Sequence, residues 1–221
     1  MIVIGLTGSI AMGKSTIGSM MKTMHIPVHE SDHAAHKCLK RDHEARRAIG
    51  ALFPHYEYPD IYVKGTYDLK RKELGKLVFH NDYLRQELEA IIHPYVQEDQ
   101  RDFIRKSKLK GRDIVCLDIP LLFETGAESR VDYTITASAP YLIQKQRVME
   151  RAGMSEEKFE QILERQLPDS EKCARSDYVI KTGIGRAHAM KQIKNIITDI
   201  KIKNGLLPDP SVEEEEKIQR Y

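Results

Sequence analysis

An apolar run, Ile2-Val3-Ile4-Gly5-Leu6-Thr7, passes directly into Gly8-Ser9-Ile10-Ala11-Met12-Gly13-Lys14-Ser15-Thr16, which satisfies the pattern G-x-x-x-x-G-K-[ST]. This pattern constrains the fold because it works only with a strand in front, a tight glycine turn, and a helix behind. Gly8 and Gly13 allow the turn and let backbone N–H groups close around phosphate oxygens. The helix that begins near Gly13 aims its positive end at the same anion. Ala11, Met12 and Thr16 belong to this phosphate cradle, while Lys14 supplies a point charge for the β- and γ-phosphates and the Ser15 hydroxyl a magnesium ligand. A nucleoside triphosphate with magnesium is the expected ligand.

With 221 residues the chain can bury roughly 70% of its unfolded surface, enough for one α/β domain over residues 1–221. Its 35 Lys and Arg against 33 Asp and Glu leave a formal charge of +2, so no global field favours nucleic acid or an acidic membrane. Cys38, Cys116 and Cys173 are odd in number and far apart, without a C-x-x-C pair, which argues against a disulfide framework or a zinc site. No run approaches the roughly 18 apolar residues of a membrane span, and the apolar start lacks a basic leader. A reducing cytoplasm and a monomer or small homo-oligomer are expected.

Strand-like and helix-like patterns alternate along the chain. Ile17, Met20, Met21 and Met24 recur at helical spacing and form the core stripe of a first helix. His25-Ile26-Pro27-Val28 reads as a short second strand, followed by helical segments around 33–50 and a turn-rich stretch over 53–66. Two amphipathic helices follow, the second carrying Leu84, Leu88, Ile91 and Ile92 and stopping at His93-Pro94. Ile114-Val115-Cys116-Leu117-Asp118 is an apolar run ending in a carboxylate, as expected of a buried parallel strand whose carboxyl end meets a site. Further strands are expected at Tyr133-Thr134-Ile135-Thr136 and Tyr178-Val179-Ile180, with helices at about 140–151, 155–166 and 184–203 and an acidic tail at 213–216.

Ligands of open parallel sheets lie outside the strand carboxyl ends, so Glu30-x-Asp32, after the second strand, shares the crevice with the phosphate loop. In an extended segment both carboxylates would face the phosphates, whereas Asp32 could equally cap the helix that starts near His33. Arg147 and Arg151 lie four apart on one helix face with Gln144, which suits a pair of forks closing over polyphosphate and also suits plain surface solvation.

In combination these residues resemble the dephospho-coenzyme A kinase family from Met1 to about residue 200. The likeness rests on the phosphate loop, Val28-His29-Glu30-Ser31-Asp32, and Leu69-Lys70-Arg71 with Leu74 and Val78-Phe79. It continues through Leu88-Glu89, His93-Pro94, Asp118-Ile119-Pro120-Leu121-Leu122-Phe123-Glu124, the Gln144/Arg147/Arg151 pattern, Gln166, and Ser176-Asp177-Tyr178-Val179-Ile180. The resemblance implies a P-loop kinase-like three-layer α/β sandwich with a five-stranded parallel sheet. It adds a helical coenzyme-A-binding region at about 33–100 and a lid at about 140–170. It also implies transfer of the ATP γ-phosphoryl group to the ribose 3′-hydroxyl of dephospho-coenzyme A, with magnesium required. Asp32, Lys14 and Arg147 would carry the chemistry, Arg151 would help hold ATP, and Glu30, Arg71 and His93 would meet the acceptor. Asp118 would hold a magnesium-bound water or simply brace the phosphate loop. Glu30, His36 and Lys181-Thr182-Gly183 depart from the family's usual Asp, Arg and acidic-Asn-Gly, which touches the expected phosphate and adenine contacts.

Two competing readings are a nucleoside monophosphate kinase, which would share loop and lid, and a nucleotide-switch GTPase. The second would need N-K-x-D and D-x-x-G motifs, and neither occurs in the chain.

Overall fold

β1 (Ile2–Thr7) sends Ile2, Ile4 and Leu6 to one apolar cluster and Val3 to another, so it is covered on both faces and stands mid-sheet. The computed structural model describes residues 1–41 and 43–209, so the acidic run at 213–216 lies outside the described residues. Five parallel strands are ordered β2-β3-β1-β4-β5, with β2 at Val28–Glu30, β3 at Ile114–Asp118, β4 at Tyr133–Ser138 and β5 at Tyr178–Lys181. The register sets Leu6 beside Asp118 and Ile135, and Glu30 beside Asp118. All five carboxyl ends therefore open on one edge.

The sheet is the middle of three layers. α1 (Lys14–Thr23) and α9 (Arg186–Lys203) cover one face through Ile17, Met20, Met21, Ile193, Ile197 and Ile200. The other face meets Phe103 and Ile104 of α5 (Asp82–Leu109) together with Leu122, Phe123 and Ala127 of the segment after β3. Beyond the edge strand β2, a separate apolar cluster holds α2 (Ser31–Arg41), α3 (His43–Leu52), α4 (Arg71–Phe79) and the first half of α5 together. Ile49, Phe53, Ile61, Tyr62, Leu74 and Leu88 form its centre. On the phosphate-loop side, α6 (Tyr141–Met149), α7 (Glu156–Glu164) and α8 (Asp169–Arg175) follow β4.

Three sequence expectations are corrected. The second strand is shifted to Val28–Glu30, because residues 24–26 still complete the end of α1. His25 N–H donates to Lys22 O at 3.0 Å and His25 takes a φ of 60°. Pro94 does not end a helix: α5 runs through it to Leu109. An interior proline forfeits one hydrogen bond and costs about 3 kcal/mol, but apolar contacts from Leu88 before it and from Phe103 and Ile104 after it tie one continuous face to the helical cluster and the sheet. α8 was not foreseen. Pro168 ahead of it, Asp169 and Glu171 in its first turn, and Lys172 and Arg175 in its last are helix signals in a segment too short and charged to show apolar periodicity.

Candidate active site

The phosphate loop leaves β1 through Gly8, where a Cβ would stand 2.6 Å from Ala137 O, and enters α1 through Gly13 at a φ of 91°, where a Cβ would press on the Thr182 side chain. Only glycine fits either point. Between them Ala11 is left-handed at a φ of 58°, a strain of about 1 kcal/mol at the loop's crown. The crown is restrained from outside. Ile10 N–H donates to Gln166 Oε1 at 3.0 Å, and Gln144 Nε2 donates to Ile10 O at 2.9 Å. Thr182 Oγ1 donates to Met12 O at 2.7 Å, and Ala11 is buried against Val148 and Phe159. These restraints reach the loop's outer groups, while its inner side borders a cavity of about 580 Å³.

Lys14 lies at that cavity, its Nζ 2.7 Å from Asp118 Oδ1, with side chains only 15% and 12% exposed. Burial pushes the Asp118 carboxyl above its ordinary range against the pull of Lys14, and the negative charges of Asp32 and Glu30 push the same way. Of the two readings of Asp118, the strand-end brace of the phosphate loop is the one the geometry displays. Arg147 and Arg151 both line the cavity. Arg147 is not a loose surface arginine: it donates to Thr182 O at 2.8 Å, to Thr182 Oγ1 at 3.1 Å and to Ala11 O at 3.4 Å.

Asp32 stands in the first turn of α2, which begins at Ser31, so it does not cap a helix starting near His33. Its carboxylate makes no hydrogen bond or ion pair among the described residues. It lines the phosphate cavity and also a second, neighbouring cavity of about 310 Å³, as does Pro120. His93 lines the second cavity as well, with Ile92 and Val96 of α5. Glu30 and Arg71 border neither. The expectation that both acidic residues face the phosphates fails because the chain turns helical at Ser31, ending the two-residue alternation. Glu30 is exposed and holds Lys22 at 2.5 Å, a hydrogen bond that keeps its carboxyl below the usual range. Arg71 begins α4, and after burial its charge is the next cause lowering the pKa of His36.

Other site residues escaped the sequence reading. Thr182 stands at one of the departures from the family pattern, yet its hydroxyl joins the loop, β4 and Arg147. Lys172 is wholly buried and pairs with Glu124 at 2.7 Å, while Glu124 Oε1 also accepts from Leu167 N–H, anchoring the segment that carries Gln166. Arg186 lines the phosphate cavity, and Gln100 and Arg130 line the second. A lone lysine or glutamine in a charged stretch carries no local signal of burial.

Against known proteins, a family model for dephospho-CoA kinase matches residues 2–186. The chain belongs to the dephospho-CoA kinase family. The dephospho-CoA kinase of Agrobacterium fabrum is 44% identical over 197 residues, covering 89% of this chain and 97% of the relative. That of Mesorhizobium japonicum is 40% identical over 205 residues, covering 93% and 100%. Among solved structures, one from Thermus thermophilus superposes with a TM-score of 0.72 at 31% identity, over 90% of this chain and 97% of the other. The dephospho-CoA kinase of Campylobacter jejuni shares the fold at a TM-score of 0.60 and 24% identity, over 90% and 96% of the chains. Family membership makes the chain a P-loop kinase with ATP as co-substrate and sets aside the nucleotide-switch alternative. No described helix is long and apolar enough to cross a membrane.

Proposed function

We propose that the chain transfers the γ-phosphoryl group of ATP to the ribose 3′-hydroxyl of dephospho-coenzyme A, releasing coenzyme A and ADP, with Asp32 as the general base. The observation that carries this assignment is that Asp32 borders both cavities. ATP occupies the loop cavity. The acceptor enters from the second cavity, built largely by the helical region at about 33–100, and presents its hydroxyl between them. Asp32 makes no hydrogen bond or ion pair among the described residues, so its carboxylate can accept the hydroxyl proton as the new P–O bond forms.

Phosphoryl transfer is dominated by positioning and charge neutralisation. Inner N–H groups of the loop hold the phosphates, Lys14 moves its charge between Asp118 and the transferring group, and Arg147 and Arg151 of the lid at about 140–170 bring two further cations. Because Arg147 is already tethered to Thr182 and Ala11, little reorganisation remains for it during the reaction. The Ser15 hydroxyl, at the loop cavity, offers a hard oxygen donor that suits magnesium and would hold the ion directly, while Asp118, paired with Lys14, would meet it through a bound water. When bound, that ion would neutralise phosphate charge. Cys38, Cys116 and Cys173, two of them buried, form no disulfide among the described residues, in keeping with a reducing cytoplasm.

The test is ADP release by purified protein with magnesium and ATP or GTP, against dephospho-coenzyme A, CMP, AMP and pantothenate. Turnover is expected with ATP and dephospho-coenzyme A. Activity confined to the other three acceptors overturns the assignment.

A further inference from the structure

The second cavity is walled mainly by apolar side chains, Ala35, Ile92, Val96, Ile119 and Leu121 among them. Its charged lining residues are Asp32, Glu89, Arg130 and, when protonated, His93. Glu89 is answered by Arg85 of the same helix at 3.2 Å. Arg130 is different. Among the described residues it faces no carboxylate, and its one hydrogen bond runs from NH1 to Gln100 Oε1 at 3.0 Å. Gln100 is itself buried and spends its amide on Ser31 Oγ at 2.8 Å, next in sequence to Asp32. A buried glutamine thus orients an otherwise unpaired guanidinium at the cavity wall and fixes it relative to the base. Burial and the nearby Arg101 charge lower the Arg130 pKa, yet an arginine stays cationic throughout neutral pH.

A guanidinium at the open wall of a largely apolar cavity, exposed and with no carboxylate paired to it among the described residues, is available to an anion. Dephospho-coenzyme A carries a diphosphate on the same ribose whose 3′-hydroxyl must reach Asp32. We propose that Arg130, oriented by Gln100, binds the diphosphate of the acceptor and so selects nucleotides bearing a 5′-diphosphate. The proposal rests on the assignment of the second cavity to the acceptor. A planar guanidinium offers the paired donors that match phosphate oxygens, while Gln100 occupies only one of its nitrogens.

The test compares Arg130→Met and Arg130→Lys with wild type, reading the KM for dephospho-coenzyme A, the KM for ATP and kcat. Methionine keeps an apolar stem in the cavity and removes the charge. The loss of a charge-assisted contact predicts a KM for dephospho-coenzyme A raised about 10- to 100-fold, with KM for ATP and kcat within about threefold. Lysine should recover about half of that loss on a logarithmic scale. Added salt should raise the wild-type KM more steeply than that of Arg130→Met. An unchanged KM in Arg130→Met, a lysine variant no better than methionine, or a loss shared equally by both KM values and kcat overturns the proposal. If wild-type protein fails to phosphorylate dephospho-coenzyme A at all, the assigned reaction fails with it; overturning Arg130 alone requires an active wild type.

Discussion

The phosphate cavity and the helical region beyond β2 are held together by different means. Around the phosphate loop, Lys14–Asp118, Gln144–Ile10, Ile10–Gln166 and Thr182–Met12 join residues 104 to 170 positions apart, mostly through backbone carbonyls or N–H groups. In the helical region many of the ion pairs are exposed and three or four residues apart, such as Lys76–Glu73, Arg85–Asp82 and Arg101–Glu98, where solvent screens the attraction and little stability results. Its cohesion comes instead from the apolar cluster around Phe53 and Ile49. The phosphate-loop cavity is clamped by directional bonds across the sheet edge. The second cavity is a largely apolar wall that carries one guanidinium oriented by a buried glutamine.

Lys14→Ala is the strongest attack on the clamped side. It should cut turnover by roughly 10³-fold or more while the protein stays folded, since the transferring phosphoryl loses its main protein charge. Steady-state kinetics beside a circular dichroism melt check this, and near-normal turnover would refute the role.

Asp32→Asn strikes the border between the regions. Turnover should fall by about 10²- to 10⁴-fold with KM for ATP little changed, because shape is kept and the base is lost. Glu30→Gln, whose carboxylate is engaged by Lys22 away from both cavities, should lose far less. The reverse order would mean that the acidic pair is assigned the wrong way round.

Phe53→Ala tests the apolar cohesion of the helical region. Phe53 is fully buried within its apolar cluster, so truncation should cost about 3–5 kcal/mol by urea titration. In protein that remains folded, KM for dephospho-coenzyme A should rise more than KM for ATP. Equal shifts would show that the two regions are one mechanical unit.

Thr182→Val should have the smallest effect. It keeps the side-chain volume against Gly13 but strips Met12 O of its donor and Arg147 of one acceptor, a loss of about 1–3 kcal/mol. Measured kcat/KM for ATP should drop about tenfold and recover in Thr182→Ser. A drop confined to the acceptor's KM would place Thr182 in the wrong region.

Local signals were enough for the phosphate loop, for β1 and β3, for the stripe of α1 and for a carboxylate beside the crevice. Each depends on neighbours within one turn or one strand, and a sequence displays such neighbours directly. Pro94 misled because proline's local penalty is legible while the packing that outweighs it lies on elements up to tens of residues away. Glu30 misled for a related reason: the point where β2 turns into α2 decides which way a side chain faces, and a shift of one residue reverses it.

The phosphate loop, and with it the α/β frame and the kind of ligand, was determined by the sequence alone, because nine consecutive residues carry both the turn geometry and the charge. Only the tertiary structure decided that Asp32 borders two cavities, that Arg130, unpaired with any carboxylate among the described residues, bonds a buried Gln100, and that Thr182 tethers Arg147. The last two relations join residues 30 to 35 positions apart, Gln100 with Arg130 and Arg147 with Thr182. Burial and pairing at such distances follow from how the layers pack, a property that no stretch of sequence carries by itself.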